Sequence, residues 1–242
     1  MRITENANIG QLVADDYRMA SIFKQNGIDF CCKGNRSIAE ATKELNLNTQ
    51  EILSQLEAVK KEDTTSGDDF QSWPLDLLAD YIEKTHHRYT EAKITELKHL
   101  LEKLVEVHGK ENPELIEIQK IFDISAGEMA SHMKKEELVL FPFIRKMIKT
   151  KKSSSKITVP HFGTVENPVN MMIHEHDEQG RLLQQMAELS NNYTPPINAC
   201  STYKVTYATM KEFEEDMFKH IHLENNILFP KAVALEKTLD KA

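Results

Sequence analysis

The sequence predicts an all-α protein: a four-helix bundle built from a duplicated helical hairpin, preceded by a small helical domain. From Trp73 to about Leu239, apolar residues recur at three-and-four spacing, glycine is scarce and β-like alternation is absent. A motif also occurs twice, as HMKKEELVLFP at 132–142 and HIHLENNILFP at 220–230. Repetition of a helical segment indicates a duplicated hairpin, and two such hairpins pack into a four-helix bundle.

Composition excludes several classes of protein. The chain has 242 residues, 28% of them charged, with a net charge of −8. No apolar run approaches the roughly 20 residues that span a bilayer, so we expect no membrane segment. An acidic surface gives no reason to expect nucleic acid as a partner. No secretory signal is recognisable and three cysteines make no disulfide framework, which together indicate a cytoplasmic protein.

Three regions follow from the pattern along the chain. Residues 1–60 form short helical patterns around an adjacent cysteine pair and are predicted to be a small domain. Residues 61–72, KEDTTSGDDFQS, are polar and are predicted to be a linker. Residues 73–242 are predicted to be the bundle, with its first helix after Pro74, its second after Pro113 and its third after Pro168.

A histidine falls within the apolar stripe of each bundle helix, where packing alone would favour leucine. His86 precedes His132 by 46 residues and His176 precedes His220 by 44, so the two hairpins match. In each motif a glutamate follows the histidine four residues later, which places both on one helix face. The predicted metal ligands are His86, His132, Glu136, His176, His220 and Glu224.

Such a set suits two metal ions, each with two imidazoles, that share both carboxylates and leave room for a bridging oxide or hydroxide. A lone histidine on an apolar face is more often a hydrogen-bonded core residue. Here the same arrangement recurs in matching repeats, and burying these groups without metal would be costly. Imidazole and carboxylate without thiolate indicate iron or manganese, of which iron is preferred.

The bundle resembles the hemerythrin-like superfamily, and the whole chain resembles the RIC family (repair of iron centres, of the ScdA/YtfE type). The stretches that carry the resemblance are DFCCKGN, SHMKKEELVLFP, HEHDEQG, TPPINAC and HIHLENNILFP. The resemblance implies two iron ions per chain in an oxo- and carboxylate-bridged centre, with Glu136 and Glu224 as bridges. In THHRYTE, His87 is an alternative to His86; the stripe favours His86, four residues after Ile82.

The resemblance further implies a cytoplasmic protein that restores iron–sulfur clusters damaged by nitric oxide or oxidants, by releasing its own iron. Damaged iron–sulfur proteins are then its partners, and a homodimer is a family-level expectation. Two alternatives stay open. In the first, the protein is an enzyme whose metal centre reduces nitric oxide or peroxide. In the second, it is a sensor or carrier whose centre binds oxygen or nitric oxide reversibly.

Other residues are weaker candidates. Glu128 and Glu175 lie near predicted ligands and are candidates for hydrogen-bonding them or lining an access path. Cys31 and Cys32 are expected to be two free thiols with a role in redox chemistry or metal transfer, on an exposed turn flanked by glycines; the alternative is a buried apolar pair. Several further histidines are expected to face solvent: His87, His99, His108, His161, His174 and His222.

Overall fold

The computed structural model describes residues 2–61, 69–153 and 159–239, and its regular structure there is helical apart from one isolated bridge. The predicted all-α class is confirmed. The N-terminal domain contains α1 (Ile9–Asp15), α2 (Met19–Gln25), α3 (Ile38–Glu44) and α4 (Thr49–Lys61). The bundle contains α5 (Leu75–Tyr81), α6 (Arg88–His108), α7 (Glu114–Lys135), α8 (Phe141–Ser153), α9 (Glu166–Leu189), α10 (Ser201–Leu223) and α11 (Phe229–Leu239).

Three π-helical segments interrupt the bundle helices, and all three lie where the predicted ligands are. π1 (Ile82–His87) joins α5 to α6, π2 (Glu136–Leu140) joins α7 to α8, and π3 (Glu224–Leu228) joins α10 to α11. A π-helical turn bonds each N–H to the carbonyl five residues back and therefore holds one extra residue. The four bundle helices are thus α5–π1–α6, α7–π2–α8, α9 and α10–π3–α11.

The four helices surround one core. α6 packs against α7 and α10, and α9 packs against the same two helices, so the hairpins face each other across the bundle. Two clusters of buried apolar side chains fill the interior. One contains Met133 and Met217 and continues into the N-terminal domain through Phe23 and Phe30. The other contains Phe141 and its repeat partner Phe229. Along the chain, His86, Glu136 and His176 fall where residues of one cluster give way to residues of the other.

Helix starts follow local chemistry. Ser37 caps α3 in a reciprocal arrangement with Glu40, and the Asn8 side chain accepts from the Gln11 N–H at α1. α9 begins at Glu166, before the predicted start, because Pro168 lies in the first turn, where a missing N–H costs nothing. Of the predicted linker, residues 62–68 lie outside the described residues. Within the described part of the chain, every helix is too short or too polar to cross a membrane.

Candidate metal centre

Four histidines and two glutamates converge in the middle of the bundle as two groups of four. In one group the ligand atoms of His87, Glu136, His220 and Glu224 all lie within 4.8 Å of one another, and these residues are buried. The other group meets the same limit and consists of His132, Glu136, His176 and Glu224. Both glutamates belong to both groups, so the two groups are adjacent and share two carboxylates.

Short distances join the imidazoles to the carboxylates. Glu224 lies 3.1 Å from His220 Nε2 through Oε1 and 3.1 Å from His176 Nε2 through Oε2. Glu136 Oε2 lies 3.4 Å from the Nε2 atoms of both His87 and His132. Each carboxylate therefore reaches one histidine of each group, as a bridging ligand does.

The structure corrects the prediction at His86. His87 occupies the fourth imidazole position, while His86 turns its Nδ1 toward Asp216 Oδ1 at 2.9 Å. The His86 ring lies nearly parallel to that of His220, with centroids 5.7 Å apart. The expectation that His87 faces solvent was therefore wrong. Burial lowers the pKa of His86, which keeps this ring neutral as a donor to Asp216.

The extra residue in π1 explains the difference. In an α-helix, the residue four after Ile82 returns to the same face, which points to His86. In a π-helical turn the residue that returns to the face of Ile82 is the fifth one after it, which is His87. A further signal was available in the sequence, since His87 precedes His132 by 45 residues, closer than His86 does to the 44 residues between His176 and His220.

Hydrogen bonds at Nδ1 orient three of the four imidazoles. His87 donates to Glu137 Oε1 at 3.1 Å, His132 donates to Glu175 Oε2 at 2.8 Å, and His176 donates to Asn225 Oδ1 at 2.8 Å. Each leaves Nε2 deprotonated and directed into the centre, as metal-ligating histidines require. Glu175 therefore orients a predicted ligand. Glu137 and Asn225 were missed, although they occupy matched positions of the repeat.

Electrostatics reflect the crowding of these groups. Burial lowers the pKa of His132 to about 4, and the hydrogen bond from His132 lowers the pKa of Glu175 to about 2. Burial and the charge of Glu224 raise the pKa of Glu136. Burial also acts to raise the pKa of Glu224, but the charge of His220 and its hydrogen bond to Glu224 outweigh that effect and lower the pKa well below its usual value.

The donor set fits metal cations. His132 Nε2 and His176 Nε2 face each other at 3.0 Å, and because both rings donate through Nδ1, two lone pairs meet there. Both oxygens of buried Glu136 lack a hydrogen-bond partner among the described residues. Buried lone pairs and an unpartnered carboxylate are strongly unfavourable alone and are what a pair of cations would satisfy. Nitrogen and oxygen donors without thiolate suit iron or manganese.

The remaining candidates differ in their relation to the centre. Glu128 is exposed, and its carboxylate accepts a hydrogen bond from Gln179 Nε2 at 3.1 Å. Gln179 is not one of the predicted ligands. The Cys31 and Cys32 sulfurs are free thiols 3.6 Å apart, and Cys32 Sγ lies 3.4 Å from the His176 carbonyl.

The cysteine turn is covered rather than exposed. Cys31 is buried and Cys32 half-buried, because the turn packs on α9 at Gly180, where an added Cβ would lie 3.2 Å from Cys32 Sγ. The hydrogen bond to Cys32 and burial raise the pKa of the Cys31 thiol. Together with Asp29, the two thiols form a third group whose ligand atoms lie within 4.8 Å of one another.

His222 also departs from expectation. It is buried rather than solvent-facing, with its ring 5.6 Å from Tyr17 and 5.9 Å from Phe30, both in the N-terminal domain. The prediction failed because the bundle surface on this side is covered by the N-terminal domain, which helical periodicity within α10 does not reveal.

Fold and donor set together define a class: a four-helix-bundle protein with a His/Glu cation-binding centre in its core. Residues 78–232 match the hemerythrin HHE cation binding domain, and residues 5–60 match ScdA_N, a domain of unknown function. The iron-sulfur cluster repair protein YtfE of Yersinia pestis (strain Pestoides F) is 34% identical over 94% of this chain and 97% of its own. That of Yersinia pseudotuberculosis (serotype O:1b, strain IP 31758) is 33% identical over the same shares.

The chain belongs to the hemerythrin HHE family and, over nearly its whole length, to the family of YtfE iron–sulfur cluster repair proteins. The resemblance drawn from the sequence motifs is thereby confirmed.

Proposed function

We propose that this protein holds two iron ions in the His/Glu centre and donates iron to iron–sulfur clusters damaged by nitric oxide or oxidants. The observation that carries the proposal is the pair of buried four-residue groups sharing Glu136 and Glu224. The ligands are His87, His132, Glu136, His176, His220 and Glu224. Relatives named for iron–sulfur cluster repair support the repair role.

The donor set favours release over permanent retention of iron. The six side chains supply four neutral nitrogens and two carboxylates for two ions, whereas the six side chains of the di-iron sites in ferritin-like bundles include four carboxylates, so the donor set here carries less negative charge. Imidazole ligands bind only in their neutral form, so protons compete with iron at each of them. Iron is here the cargo, and the bundle is the carrier that protects it until transfer.

The cysteine pair is the proposed point of exit. Cys32 Sγ contacts the backbone of the ligand His176, and Asp29, Cys31 and Cys32 form a second donor group on that side. Thiolates bind iron strongly and are the natural ligands of iron–sulfur clusters. An iron ion leaving the His/Glu centre would meet these thiols before it reaches the partner protein.

The proposal is tested by iron transfer. Protein loaded with isotopically labelled iron is mixed, under a mild reductant and with a chelator for free iron, with an enzyme whose cluster has lost iron. We expect labelled iron in the cluster and recovery of the enzyme's activity. Cys32→Ala should slow the transfer while the initial iron content stays the same.

Two outcomes would contradict donation. If the label remains on the loaded protein while the enzyme stays inactive, the centre is not a donor. If nitric oxide is instead consumed with release of nitrous oxide and full retention of iron, the protein is a reductase. Free labelled iron at the concentration that leaks from the protein provides the control, and it should restore less activity.

A further inference from the structure

Asn225 makes two hydrogen bonds that connect the metal centre with the N-terminal domain. Its Oδ1 accepts from His176 Nδ1 at 2.8 Å, and its Nδ2 donates to the carbonyl of Cys31 at 3.1 Å. One planar amide therefore holds a ligand of the bundle and the backbone of the cysteine turn together. The two contacts use the two ends of the amide, so the same orientation of the side chain satisfies both.

The repeat provides an internal comparison for this residue. Asn225 follows Glu224 in π3, and Glu137 follows Glu136 in π2 at the matched position. Both side chains accept from Nδ1 of a ligand histidine, His176 in one half and His87 in the other. Glu137 is a carboxylate that also pairs with Arg88 and Lys134, and it can donate to nothing. The amide at 225 keeps the acceptor and adds a donor, used on Cys31.

At the next position of the repeat, too, only the second copy has an amide that contacts the N-terminal domain. Leu138 is 73% exposed, whereas Asn226 is half-buried and donates to the Phe30 carbonyl at 3.2 Å. Asn226 reaches this carbonyl between two glycines: a Cβ on Gly10 would lie 2.3 Å from Asn226 Oδ1, and one on Gly34 3.0 Å from it. The half of the repeat that faces the N-terminal domain therefore carries two amides where the other half carries Glu137 and Leu138.

We infer that Asn225 is a positioning residue that couples docking of the cysteine-bearing turn to metal binding at His176. With the turn docked, the Cys31 carbonyl holds the amide so that Oδ1 faces His176 and Nε2 points into the centre. When the turn leaves, that restraint on the amide is lost and His176 is held less well. The inference rests on the proposed metal centre, and it adds a link between that centre and the thiols proposed to receive the iron.

Linkage makes the coupling reciprocal. If docking strengthens metal binding by some factor, metal binding strengthens docking by the same factor. Removal of metal should therefore loosen residues 28–34, although none of them belongs to the His/Glu centre. A residue with a purely structural role would alter the stability of the turn equally with and without metal.

Three variants separate the two contacts. Asn225→Asp keeps an oxygen acceptor for His176, as Glu137 does for His87, but loses the donor to Cys31. Asn225→Leu loses both contacts. Asn226→Ala loses the contacts of this amide with the Phe30 carbonyl and with His222 Nδ1 and leaves the contact between Asn225 and His176 in place. Loss of a residue that orients a metal-ligating histidine typically lowers metal affinity 10–100-fold.

The full chain is loaded with Fe²⁺, and two quantities are measured: iron release to a chelator and hydrogen exchange of residues 28–34 with and without iron. In the wild type, removal of iron should speed exchange of this segment. In Asn225→Asp, residues 28–34 should exchange fast in both states. Iron release should be faster than in the wild type but slower than in Asn225→Leu, because the acceptor for His176 is kept while its restraint by Cys31 is lost. Asn225→Leu should also exchange fast and release iron about 10–100-fold more readily. Asn226→Ala should speed both exchange and iron release.

Wild-type exchange of residues 28–34 that is the same with and without iron would overturn the coupling. So would an Asn225→Leu variant with wild-type iron release. These results are distinguishable from failure of the proposed function, since they require no iron–sulfur partner. A chain that binds iron and shows the coupling but donates no iron refutes the repair function alone, and a chain that binds no iron refutes both.

Discussion

Most of the proposed ligand histidines are oriented through their second ring nitrogen. Three of the four donate through Nδ1 to an oxygen acceptor, and these acceptors are Glu137, Glu175 and Asn225. The fourth, His220, has no hydrogen-bond partner at Nδ1 among the described residues, and its ring stacks on that of His86 with the centroids 5.7 Å apart. His86 is in turn held by Asp216. The geometry of the proposed ligands therefore depends on these partners as well as on the ligands themselves.

The choice between His86 and His87 gives a direct prediction at this scale. His87→Gln should lower the iron content of the chain, because it removes a nitrogen from the group that contains His220. The matched variant His86→Gln changes a buried histidine that stacks on His220 without belonging to either group, and it should lower the iron content less. Iron is measured per folded chain after loading and removal of excess metal. Loss of iron in His86→Gln with full loading of His87→Gln would reverse the assignment.

The element that matters most is the π-helical turn. Each of the two repeated motifs places its glutamate ligand at the first residue of a π-helical segment, and His87 is the last residue of the third such segment. A single extra residue in a helix rotates the local side chains without disturbing the packing beyond it, and such turns are frequent at functional sites. The core residues Phe141 and Phe229 resume α-helical packing directly after π2 and π3.

Deleting the exposed residue Leu138 tests the role of π2. Without it, the segment should become a regular α-helix, so helix content and thermal unfolding should remain near those of the wild type. Glu136 and Glu137 would be rotated away from their ligand and hydrogen-bonding positions, and iron content should fall. Leu138→Ala, which keeps the π-helical turn, is the control. A deletion variant with full iron content would show that the turn is not needed for the centre.

Helical periodicity predicts much of this architecture, but only where the helix is regular. The four bundle helices, their duplication and five of the six proposed ligand positions follow from apolar spacing and the repeat. His87 was named only as the alternative to His86, because nothing in THHRYTE marks a π-helical turn. Glu137 and Asn225 were missed because their role depends on a histidine from another helix. Burial of His222 and of the cysteine turn depends on docking of a separate domain, which spacing within one helix does not contain.

At the scale of the whole molecule, the N-terminal domain and the bundle form one packed unit on the side of His176. Lys24 in α2 pairs with Glu214 in α10 at 2.9 Å, and Phe30 packs edge-on against Phe218. Tyr17 and Phe30 also pack on His222. These contacts hold the turn with Cys31 and Cys32 beside the His/Glu centre. The expected homodimer and the cytoplasmic location remain predictions.

Two glycines provide a matched test of this interface. In Gly34→Ala, the added Cβ would lie 2.4 Å from the Phe30 carbonyl and 3.0 Å from Asn226 Oδ1, so docking should weaken. We expect the free energy of unfolding to fall by about 1–3 kcal/mol, as for other overpacked sites. In Gly127→Ala, the Cβ has nothing within 4 Å, and the free energy of unfolding should rise by about 1 kcal/mol. Denaturant titration measures both; equal effects would contradict the close approach at Gly34.

The central claim is that two iron ions share Glu136 and Glu224, and iron analysis of the loaded chain tests it most directly. The wild type should hold about two irons per chain. Glu136→Ala and Glu224→Ala should each lower the content of both sites, because each carboxylate belongs to both groups. The surface variant Glu128→Ala should retain both irons. One iron per chain in the wild type, or full loading of either bridging-glutamate variant, would contradict the account.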